Sequence, residues 1–412
     1  MKFATHFPAS IVSIACIGIP KGANEVTPVH VSPDEDKMSI LQEYLIENAL
    51  PEWAVRGYLG RERALADTAK QHKLQVVIWE ATRRCNLRCV HCGTPTEDCE
   101  VAKEMSTSQV LQVFSKIDNA FGIQSLACIS ITGGEPTLRT DLLEIVNQLC
   151  SRGASQIVMH TNGHKVAEDR QLLKKLVAAG ITGIGVNIDG MEENHNWIRQ
   201  HNKSFDLSIQ ALRQAKEVNV DTMVSTVVTS RSIKDLESLR DLVSRLQPGR
   251  WRLIPLEPIG RAKRQDVLTP EMFARVVDFV LETLTERSEL SVEFGCGQWF
   301  GKKLEGLVRP YIWHCIAGLN VLGILHDGMI GACNNIDRCY CQGNALQDGI
   351  GKLWQSGFQV FRQRSWCQTG ECADCSEWAL CRGGEMHLRD SKGDRLSPCF
   401  FRWLEKTYQC VV

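Results

Sequence analysis

An α/β fold built on a parallel sheet is the fold class that the sequence predicts, and three observations predict it. From Leu74 onward, short apolar runs of β-prone residues alternate with amphipathic helical segments. The helical segments begin at capping residues such as Thr107 and end at glycines such as Gly122. The alternation repeats six times, and consecutive strand–helix units form parallel sheets with right-handed crossovers. We therefore expect an open doubly wound sheet or a partial barrel, with the active site at the carboxyl ends of the strands.

Each element of this alternation has its own sequence signals. The strands are predicted at residues 75–79, 126–131, 156–160, 183–188, 221–228 and 251–255. The first helix is predicted to begin at Ser106 or Thr107 and to end at Gly122, and the others to cover residues 140–152, 169–179, 204–218, 232–246 and 269–287. Gly153 and Gly180 end the second and third of these helices.

The length of 412 residues exceeds what one ordinary core accommodates, so three regions are expected. Residues 1–73 are expected to form a small helical or winged N-terminal module, or merely an arm, with a buried strand over the apolar run 11–19 and helices at 39–48 and 52–73. The strand–helix alternation covers residues 74–290. Residues 291–412 form a third region that is rich in cysteine.

Composition excludes several classes of partner. The 47 basic and 48 acidic residues leave a net charge of −1, so no global field would hold nucleic acid or an anionic membrane surface. No apolar stretch is long enough to span a bilayer. The run 11–19 is short, is interrupted by Ser13 and precedes no A-x-A cleavage site, so we expect a cytoplasmic protein. Ten of the 18 cysteines lie between Cys315 and Cys410, and such clustering indicates metal ligation in a reducing compartment.

Three cysteines occupy the loop after the first strand, in "TRRCNLRCVHC". Cys85, Cys89 and Cys92 are spaced Cys-x3-Cys-x2-Cys, and no fourth ligand follows at ordinary zinc-finger spacing. Iron–sulfur clusters are commonly held by four cysteines. A cluster on three thiolates would leave one iron open to a substrate or a cofactor.

This loop resembles the cluster loop of radical S-adenosylmethionine (radical SAM) enzymes, whose fold is a partial (β/α)6 barrel. The resemblance implies a 4Fe-4S cluster on the three cysteines and S-adenosylmethionine as the cofactor at the open iron. It also implies one-electron reduction of the cofactor, giving a 5'-deoxyadenosyl radical that abstracts hydrogen from the substrate. An external one-electron reductant such as flavodoxin or ferredoxin is then an expected partner.

Three further motifs resemble the cofactor-binding segments of the same family. "TGGEP" ends the second strand, and the resemblance assigns Gly133, Gly134 and Glu135 to the methionine amino group. Two glycines allow close backbone approach, and Glu135 can accept hydrogen bonds from an ammonium.

The ends of the third and fourth strands, "HTNGH" and "VNIDG", offer Thr161, Asn162, Asn187 and Asp189 as ribose contacts. "HNWIR" resembles the family's His-x3-Arg segment, in which Arg199 would pair bidentately with the methionine carboxylate.

The C-terminal region resembles the SPASM extension, which holds two auxiliary 4Fe-4S clusters. The string "CADCSEWALC" and the later Cys399 match the ligands of the second auxiliary cluster, which are Cys372, Cys375, Cys381 and Cys399. The family's string continues three residues further to another cysteine, but here that position is Glu385.

The first auxiliary cluster would use Cys315 and Cys333 with further ligands that the sequence does not decide. The candidates are Cys339, Cys341, Cys367 and Glu385. A zinc ribbon is an alternative for the C-terminal cysteines as a whole, because Cys-x2-Cys pairs also build zinc sites. Core packing is expected for the five cysteines that fit no ligand pattern, Cys16, Cys128, Cys150, Cys296 and Cys410.

Enzymes of this type with a SPASM extension mostly modify peptides, so the resemblance implies crosslinking, epimerisation or oxidation of a ribosomally made precursor peptide. Residues 1–73 would then recognise its leader by adding it as a strand to an open edge. One alternative is a radical SAM enzyme for a small molecule such as a tetrapyrrole or a sugar. The other is a non-catalytic protein that binds iron–sulfur clusters or zinc.

Overall fold

The structure, a computed structural model, describes residues 50–94, 104–287, 289–295, 297, 299–309 and 311–407. The strand predicted at 11–19 and the helix predicted at 39–48 lie outside these residues. Over the described part of the chain, no helix has both the length and the apolar character that crossing a membrane would require.

A single mixed sheet organises the described residues. Its strands are β1 Val76–Thr82, β2 Cys128–Gly133, β3 Ile157–Thr161, β4 Gly183–Asn187, β5 Asp221–Val228, β6 Arg250–Pro255, β7 Val292–Phe294, β8 Val321–Ile324, β9 Met329–Gly331 and β10 Gly343–Asn344. Their order is β10-β9-β8-β1-β2-β3-β4-β5-β6-β7. Strands β1 to β7 are parallel to their neighbours, β8 is parallel to β1, and β9 and β10 pair antiparallel. The predicted parallel α/β fold is confirmed, and β1 to β6 are the six predicted strands.

Helices connect the parallel strands and cover one face of the sheet. They are α1 Glu52–Gln71, α2 Thr107–Phe121, α3 Leu142–Ser151, α4 His164–Glu168, α5 Arg170–Ala179, α6 Glu192–Arg199, α7 Ser204–Glu217, α8 Leu236–Leu246, α9 Pro270–Glu286, α10 Ile350–Ser356, α11 Gln359–Arg362, α12 Trp378–Cys381 and α13 Phe400–Thr407. A capping box between Ser106 and Gln109 begins α2, and Thr269 caps α9. Local capping chemistry therefore fixes where these helices begin.

Alternation along the strands separates two faces of the sheet. On the helix-covered face, Trp79 meets Phe114 of α2 with the ring centroids 6.0 Å apart. The opposite face, called the inner face below, begins with the apolar residues Val76, Ile78, Cys128, Val158 and Val321. Further along the same strands it becomes polar, with Glu80, Ser130, His160, Ser225 and Arg252. Because the strands are parallel, their carboxyl ends bring these polar residues and the following loops to one edge.

The C-terminal region is joined to this sheet rather than separate from it. Strand β8 pairs with β1 along four residues, from Val76 opposite Val321 to Trp79 opposite Ile324. The helix α1 also packs against the C-terminal region, because Arg61 donates to the carbonyl of Leu380 at 2.9 Å. Cys333 is therefore held beside the first strand, where it packs against the cluster of Val76, Ile78 and Val321.

Two of the unassigned cysteines lie in described elements, and they differ. Cys128 is buried on the inner face, as predicted. Cys150 is exposed, so the prediction that it packs in the core is wrong. The buried face of α3 consists of Leu142, Ile145, Val146 and Leu149, and Cys150 follows on the other side of the helix. Cys16, Cys296 and Cys410 lie outside the described residues.

Candidate active site

The loop after β1 carries three thiols that lie near enough to affect one another's pKa. Cys89 is buried, and Cys85 and Cys92 are half-buried. Burial raises the pKa of Cys85 to about 11, and the neighbouring Cys89 and Cys92 add to this rise. Each sulfur also receives an N–H group: Leu87 N–H lies 3.4 Å from Cys85 Sγ, Thr94 N–H 3.4 Å from Cys92 Sγ, and Arg199 Nη1 3.7 Å from Cys89 Sγ. Donors on all three sulfurs suit thiolates, which is the form that iron–sulfur clusters bind.

The glycines of "TGGEP" place the end of β2 against the cluster loop. A Cβ atom on Gly133, whose φ is +141°, would lie 2.3 Å from the carbonyl oxygen of Thr82. A Cβ atom on Gly134 would lie 2.2 Å from that of Arg84. The backbone N–H groups of Gly134 and Glu135 donate to the same two carbonyls, at 2.7 and 2.8 Å. The close approach that these glycines permit is therefore made to the backbone of the cluster loop.

Glu135 is fully buried between the ends of β2 and β3. Its Oε1 accepts hydrogen bonds from the hydroxyls of Thr137 at 2.6 Å and Thr161 at 2.7 Å. Its Oε2 accepts from the N–H of Asn162 at 2.7 Å. Burial raises the pKa of Glu135, and these donors oppose the rise. The carboxyl group lies close enough to Cys85 to affect the pKa of that thiol, so it sits beside the three-thiol loop.

Asp189 and Arg199 form a buried ion pair behind Cys89. Asp189 Oδ2 accepts from Arg199 Nε at 2.6 Å, and Asp189 Oδ1 accepts from the N–H of Val227 at 2.9 Å. Burial alone would raise the pKa of Asp189, but the Arg199 guanidinium and the Val227 N–H outweigh it and lower that pKa. Asp189 thus holds Arg199 toward the thiol of Cys89. The ribose contact proposed for Asp189 stays a prediction.

The other residues predicted to contact ribose lie at neighbouring strand ends. Asn162 donates from Nδ2 to Asn86 in the cluster loop at 2.7 Å, and its Oδ1 accepts from the N–H of His164. Asn187 ends β4, half-buried and in register with Ser225. The structure therefore brings Thr161, Asn162 and Asn187 to the edge where the three thiols lie.

Two buried histidines support this edge through Ser204. Asp189 N–H donates to His195 Nδ1 at 3.0 Å, so the proton of the neutral ring is on Nε2, which faces Ser204 Oγ at 3.1 Å. The Ser204 hydroxyl then donates to His164 Nε2 at 2.9 Å. Burial lowers the pKa of His195 to about 3 and that of His164 to about 4. Both rings are neutral at physiological pH.

Arg261 holds the cluster loop, and the sequence did not predict this role. Its Nε donates to the carbonyl of Cys89 at 3.0 Å and its Nη1 to that of Thr94 at 3.2 Å. Its backbone N–H donates to the carbonyl of Cys92 at 3.1 Å. The adjacent Gly260 has a φ of +61°, and a Cβ atom there would lie 2.6 Å from the same carbonyl. The signal in the sequence is a local group of basic residues, "IGRAKR", which by itself does not indicate a contact with this loop.

The four cysteines predicted for the second auxiliary cluster lie near one another. Charge on Cys372 affects the pKa values of Cys375, Cys381 and Cys399, and charge on Cys399 affects that of Cys381. Burial raises all three of these pKa values. Arg389 Nη2 donates to Cys372 Sγ at 3.2 Å. Nearby guanidinium groups would favour thiolates in this set.

The candidates for the first auxiliary cluster are more dispersed. Cys339 and Cys341 lie between β9 and β10, where Asp337 affects the pKa of both thiols. Cys367 lies beside Cys372, with its Sγ donating to the carbonyl of Arg364. Among the described residues, no group of three or more His, Cys, Asp or Glu side chains is arranged to hold a metal ion.

Glu385 occupies the position where the SPASM string has a cysteine. It is fully buried, and neither carboxyl oxygen has a hydrogen-bond partner among the described residues. Burial raises its pKa to about 8, which the Arg395 charge opposes and the Glu257 charge reinforces.

These features define a partial α/β barrel enzyme with a three-thiol loop at the carboxyl edge of its sheet. The family model of the radical SAM superfamily matches residues 79–243. The Fe-coproporphyrin III synthase of Methanosarcina barkeri (strain Fusaro / DSM 804) is 31% identical over 338 residues, which cover 76% of this chain and 83% of that protein. The chain belongs to the radical SAM superfamily, and it is a radical SAM enzyme.

Two further similarities concern proteins of different kinds. The mycofactocin maturase MftC of Mycolicibacterium smegmatis (strain ATCC 700084 / mc(2)155) is 29% identical over 326 residues, 75% of this chain and 77% of that protein. The structure of native anSMEcpe with bound AdoMet and Cp18Cys peptide superposes with a TM-score of 0.62 at 20% identity, covering 82% of this chain and 96% of that one. The second likeness shows the fold: a radical SAM barrel followed by a cysteine-rich region of SPASM type.

Proposed function

We propose that this enzyme binds S-adenosylmethionine at a 4Fe-4S cluster on Cys85, Cys89 and Cys92 and abstracts hydrogen from a ribosomally made precursor peptide in order to modify it. The observation that carries the proposal is the three-thiol loop with an N–H donor on every sulfur. Bound there, the cluster and the cofactor would supply one-electron cleavage to a hydrogen-abstracting radical.

The chain's own residues would bind and orient the cofactor. Arg199, held by Asp189, presents a guanidinium beside Cys89 that suits the methionine carboxylate. Glu135 would accept from the methionine ammonium once that cation offsets the cost of ionising a buried carboxyl. Thr161, Asn162 and Asn187 would bind the ribose from the adjoining strand ends.

The auxiliary clusters belong to the same proposal. Cys372, Cys375, Cys381 and Cys399 would hold one 4Fe-4S cluster, and their mutual proximity supports this set. Cys315 and Cys333 would contribute to the other, with Cys339, Cys341, Cys367 and Glu385 as candidate further ligands. A flavodoxin or ferredoxin would supply the electron, and residues 1–73 would recognise the peptide leader.

A tetrapyrrole is the second candidate substrate. The 31% identical relative is a synthase of Fe-coproporphyrin III, whereas the maturase and the peptide-bound structure favour a peptide. The gene neighbourhood separates the two, because a short open reading frame beside this gene would favour a peptide. A neighbourhood of tetrapyrrole enzymes would favour the second candidate.

Anaerobic reconstitution tests the chemistry. Three 4Fe-4S clusters correspond to about twelve iron atoms per chain, and reduction with the cofactor should release 5'-deoxyadenosine. Replacing Cys85, Cys89 and Cys92 with Ala should remove about four iron atoms and abolish the release. Cys150→Ala, at an exposed thiol outside the site, is the matched control. Zinc in place of iron, or cofactor cleavage by the triple variant, would contradict the proposal.

A further inference from the structure

The inner face of the sheet carries an arginine that shares its ion-pair partner with a second arginine. Arg252 lies in the middle of β6, in register with Ser225 of β5 and Glu293 of β7. Ser225 is in turn in register with Asn187, at the cofactor end of β4. The flanking Trp251 and Leu253 belong to the helix-covered core, so Arg252 points to the inner face.

Glu293 is shared between two guanidinium groups. Its Oε1 lies 3.2 Å from Arg250 Nη1 and 3.6 Å from Arg252 Nε, and only the first distance is a hydrogen bond. The side chains of Arg252 and Glu293 are 5% and 2% exposed. Among the described residues, Glu293 is therefore the one carboxylate recorded in an ion pair with either arginine, and Arg252 is the more buried of the two cations. An uncompensated buried charge is costly unless a ligand neutralises it.

One edge of the Arg252 guanidinium makes no hydrogen bond with the described residues, although its Nε lies 3.6 Å from Glu293 Oε1. Nε and Nη2 are buried and have no hydrogen-bond partner among the described residues. These two nitrogens form the side of the guanidinium that donates two parallel hydrogen bonds to a carboxylate. Glu385 is also buried and lies beside Gly297. The charges that affect its pKa are those of Arg395, Glu257 and Arg309.

The space that the Arg252 side chain occupies depends on Gly295. A Cβ atom at Gly295 would lie 2.8 Å from Arg252 Cδ and 2.8 Å from Ile254 Cγ1. Gly295 follows β7 directly, so the arm of Arg252 extends toward the carboxyl edge of the sheet, where the cofactor residues lie. Ser130 Oγ on the same face is likewise buried without a partner. The inner face therefore presents polar groups that the fold itself does not satisfy.

We infer that Arg252 binds a carboxylate of the substrate inside the barrel and thereby determines which substrates are accepted. This inference rests on the proposed function, because it places the substrate on the inner face beside the cofactor. Both candidate substrates carry the required group: a peptide has its C-terminus and acidic side chains, and a coproporphyrin has propionates. Glu293 is the positioning residue: the hydrogen bond from Arg250 holds its carboxylate, which in turn lies 3.6 Å from Arg252 Nε.

Equilibrium binding to the reconstituted enzyme with S-adenosylmethionine tests this inference with two matched pairs of probes. The first pair is coproporphyrin III and its methyl ester. The second pair is a labelled peptide pool containing Asp and Glu with free carboxylates, and the same pool with every carboxylate amidated. The wild-type enzyme should prefer the free acid in one pair by about tenfold or more, because a bidentate charged contact is among the strong hydrogen bonds. The pair that shows the preference identifies the source of the carboxylate.

Arg252→Met keeps the length of the arm and removes the charge, so it should abolish the preference. Arg252→Lys keeps the positive charge but loses the two parallel N–H donors of the guanidinium, so it should retain part of the preference. Arg213→Gln, on the exposed face of α7, is the matched control and should retain all of it. Iron content reports whether each variant is folded, and Arg252→Lys keeps the test valid if Arg252→Met does not fold.

A wild-type enzyme without a preference in either pair, or a preference that survives Arg252→Met, would overturn the inference. If Arg252→Met does not fold, a preference undiminished in Arg252→Lys has the same consequence. Release of 5'-deoxyadenosine by the wild type is measured separately. If the enzyme cleaves the cofactor but shows no preference for the free acid, only this inference is contradicted. If the enzyme does not cleave the cofactor, the proposed function is contradicted.

Discussion

Asp189→Asn is expected to destabilise this enzyme strongly, although the two side chains have the same size. Asn can still accept from the N–H of Val227 through its oxygen. Its amide nitrogen would then face Arg199 Nε, which is 2.6 Å from Oδ2 of Asp189. Two donors would meet where a donor and an acceptor now bond, and the charge of Arg199 would lose its counterion.

The magnitude follows from burial. The side chain of Asp189 is 0% exposed and that of Arg199 is 8% exposed, so solvent does not screen the pair. Removing one partner of a buried ion pair costs about 3–5 kcal/mol, because the other charge stays buried and unpaired. At about 1.4 kcal/mol per factor of ten, the unfolded fraction should rise by at least about a hundredfold.

Urea unfolding under anaerobic conditions measures this cost, with Glu193→Gln as the control. Glu193 pairs with Arg231 at 2.8 Å, but their side chains are 77% and 40% exposed, so its loss should cost less than about 1 kcal/mol. The affinity for S-adenosylmethionine should also fall in Asp189→Asn, because Arg199 is no longer held toward Cys89. Equal unfolding midpoints for the two variants would refute the reasoning.

Three further predictions concern the residues around the cluster loop. Gly260→Ala places a Cβ atom 2.5 Å from Gly93 Cα at a φ of +61°, so the loop must shift and the iron content should fall; full iron loading would contradict this steric effect. Arg261→Met removes two hydrogen bonds to loop carbonyls, each worth about 1–3 kcal/mol, and should speed cluster loss in air, measured by absorbance against the Arg213→Gln control. The contribution of His195 and His164 to stability should be constant above about pH 6.5 and fall below it by about 1.4 kcal/mol per pH unit for each histidine, because these residues are protonated first in the unfolded chain. His164→Gln should remove its share of that slope in urea titrations between pH 7.5 and 5, and an unchanged slope would show that this histidine is not the titrating group.

Much of the fold was predictable because its signals are local. The capping box at Ser106, the proline of α9 after Thr269 and the glycine at 122 act within a few residues of their position. Strand β7 was missed because three residues, Val292–Phe294, give too short a pattern to distinguish from a loop. Strand β8 was missed for another reason, since it pairs with β1 more than two hundred residues earlier in the chain.

The candidate site likewise contains residues that the sequence predicted and residues that it did not. Cys85, Cys89 and Cys92 could be singled out because one loop carries all three cysteines in a fixed spacing. Arg261 was not visible, because its bonds to that loop join residues about 170 positions apart in the sequence. Cys150 was misassigned because a single residue at the end of a helix can fall on either face.

By itself, the sequence determined the superfamily, the alternation of strands and helices from β1 to β6, and the position of the three-cysteine loop, all of which depend on short-range spacing and periodicity. Only the tertiary structure decided that Asp189 holds Arg199, that Glu135 joins two strand ends, and that Arg252 shares its one carboxylate with Arg250. The physical reason is that burial and charge balance are properties of neighbours in space. Those neighbours come from separate strands that meet only when the sheet forms.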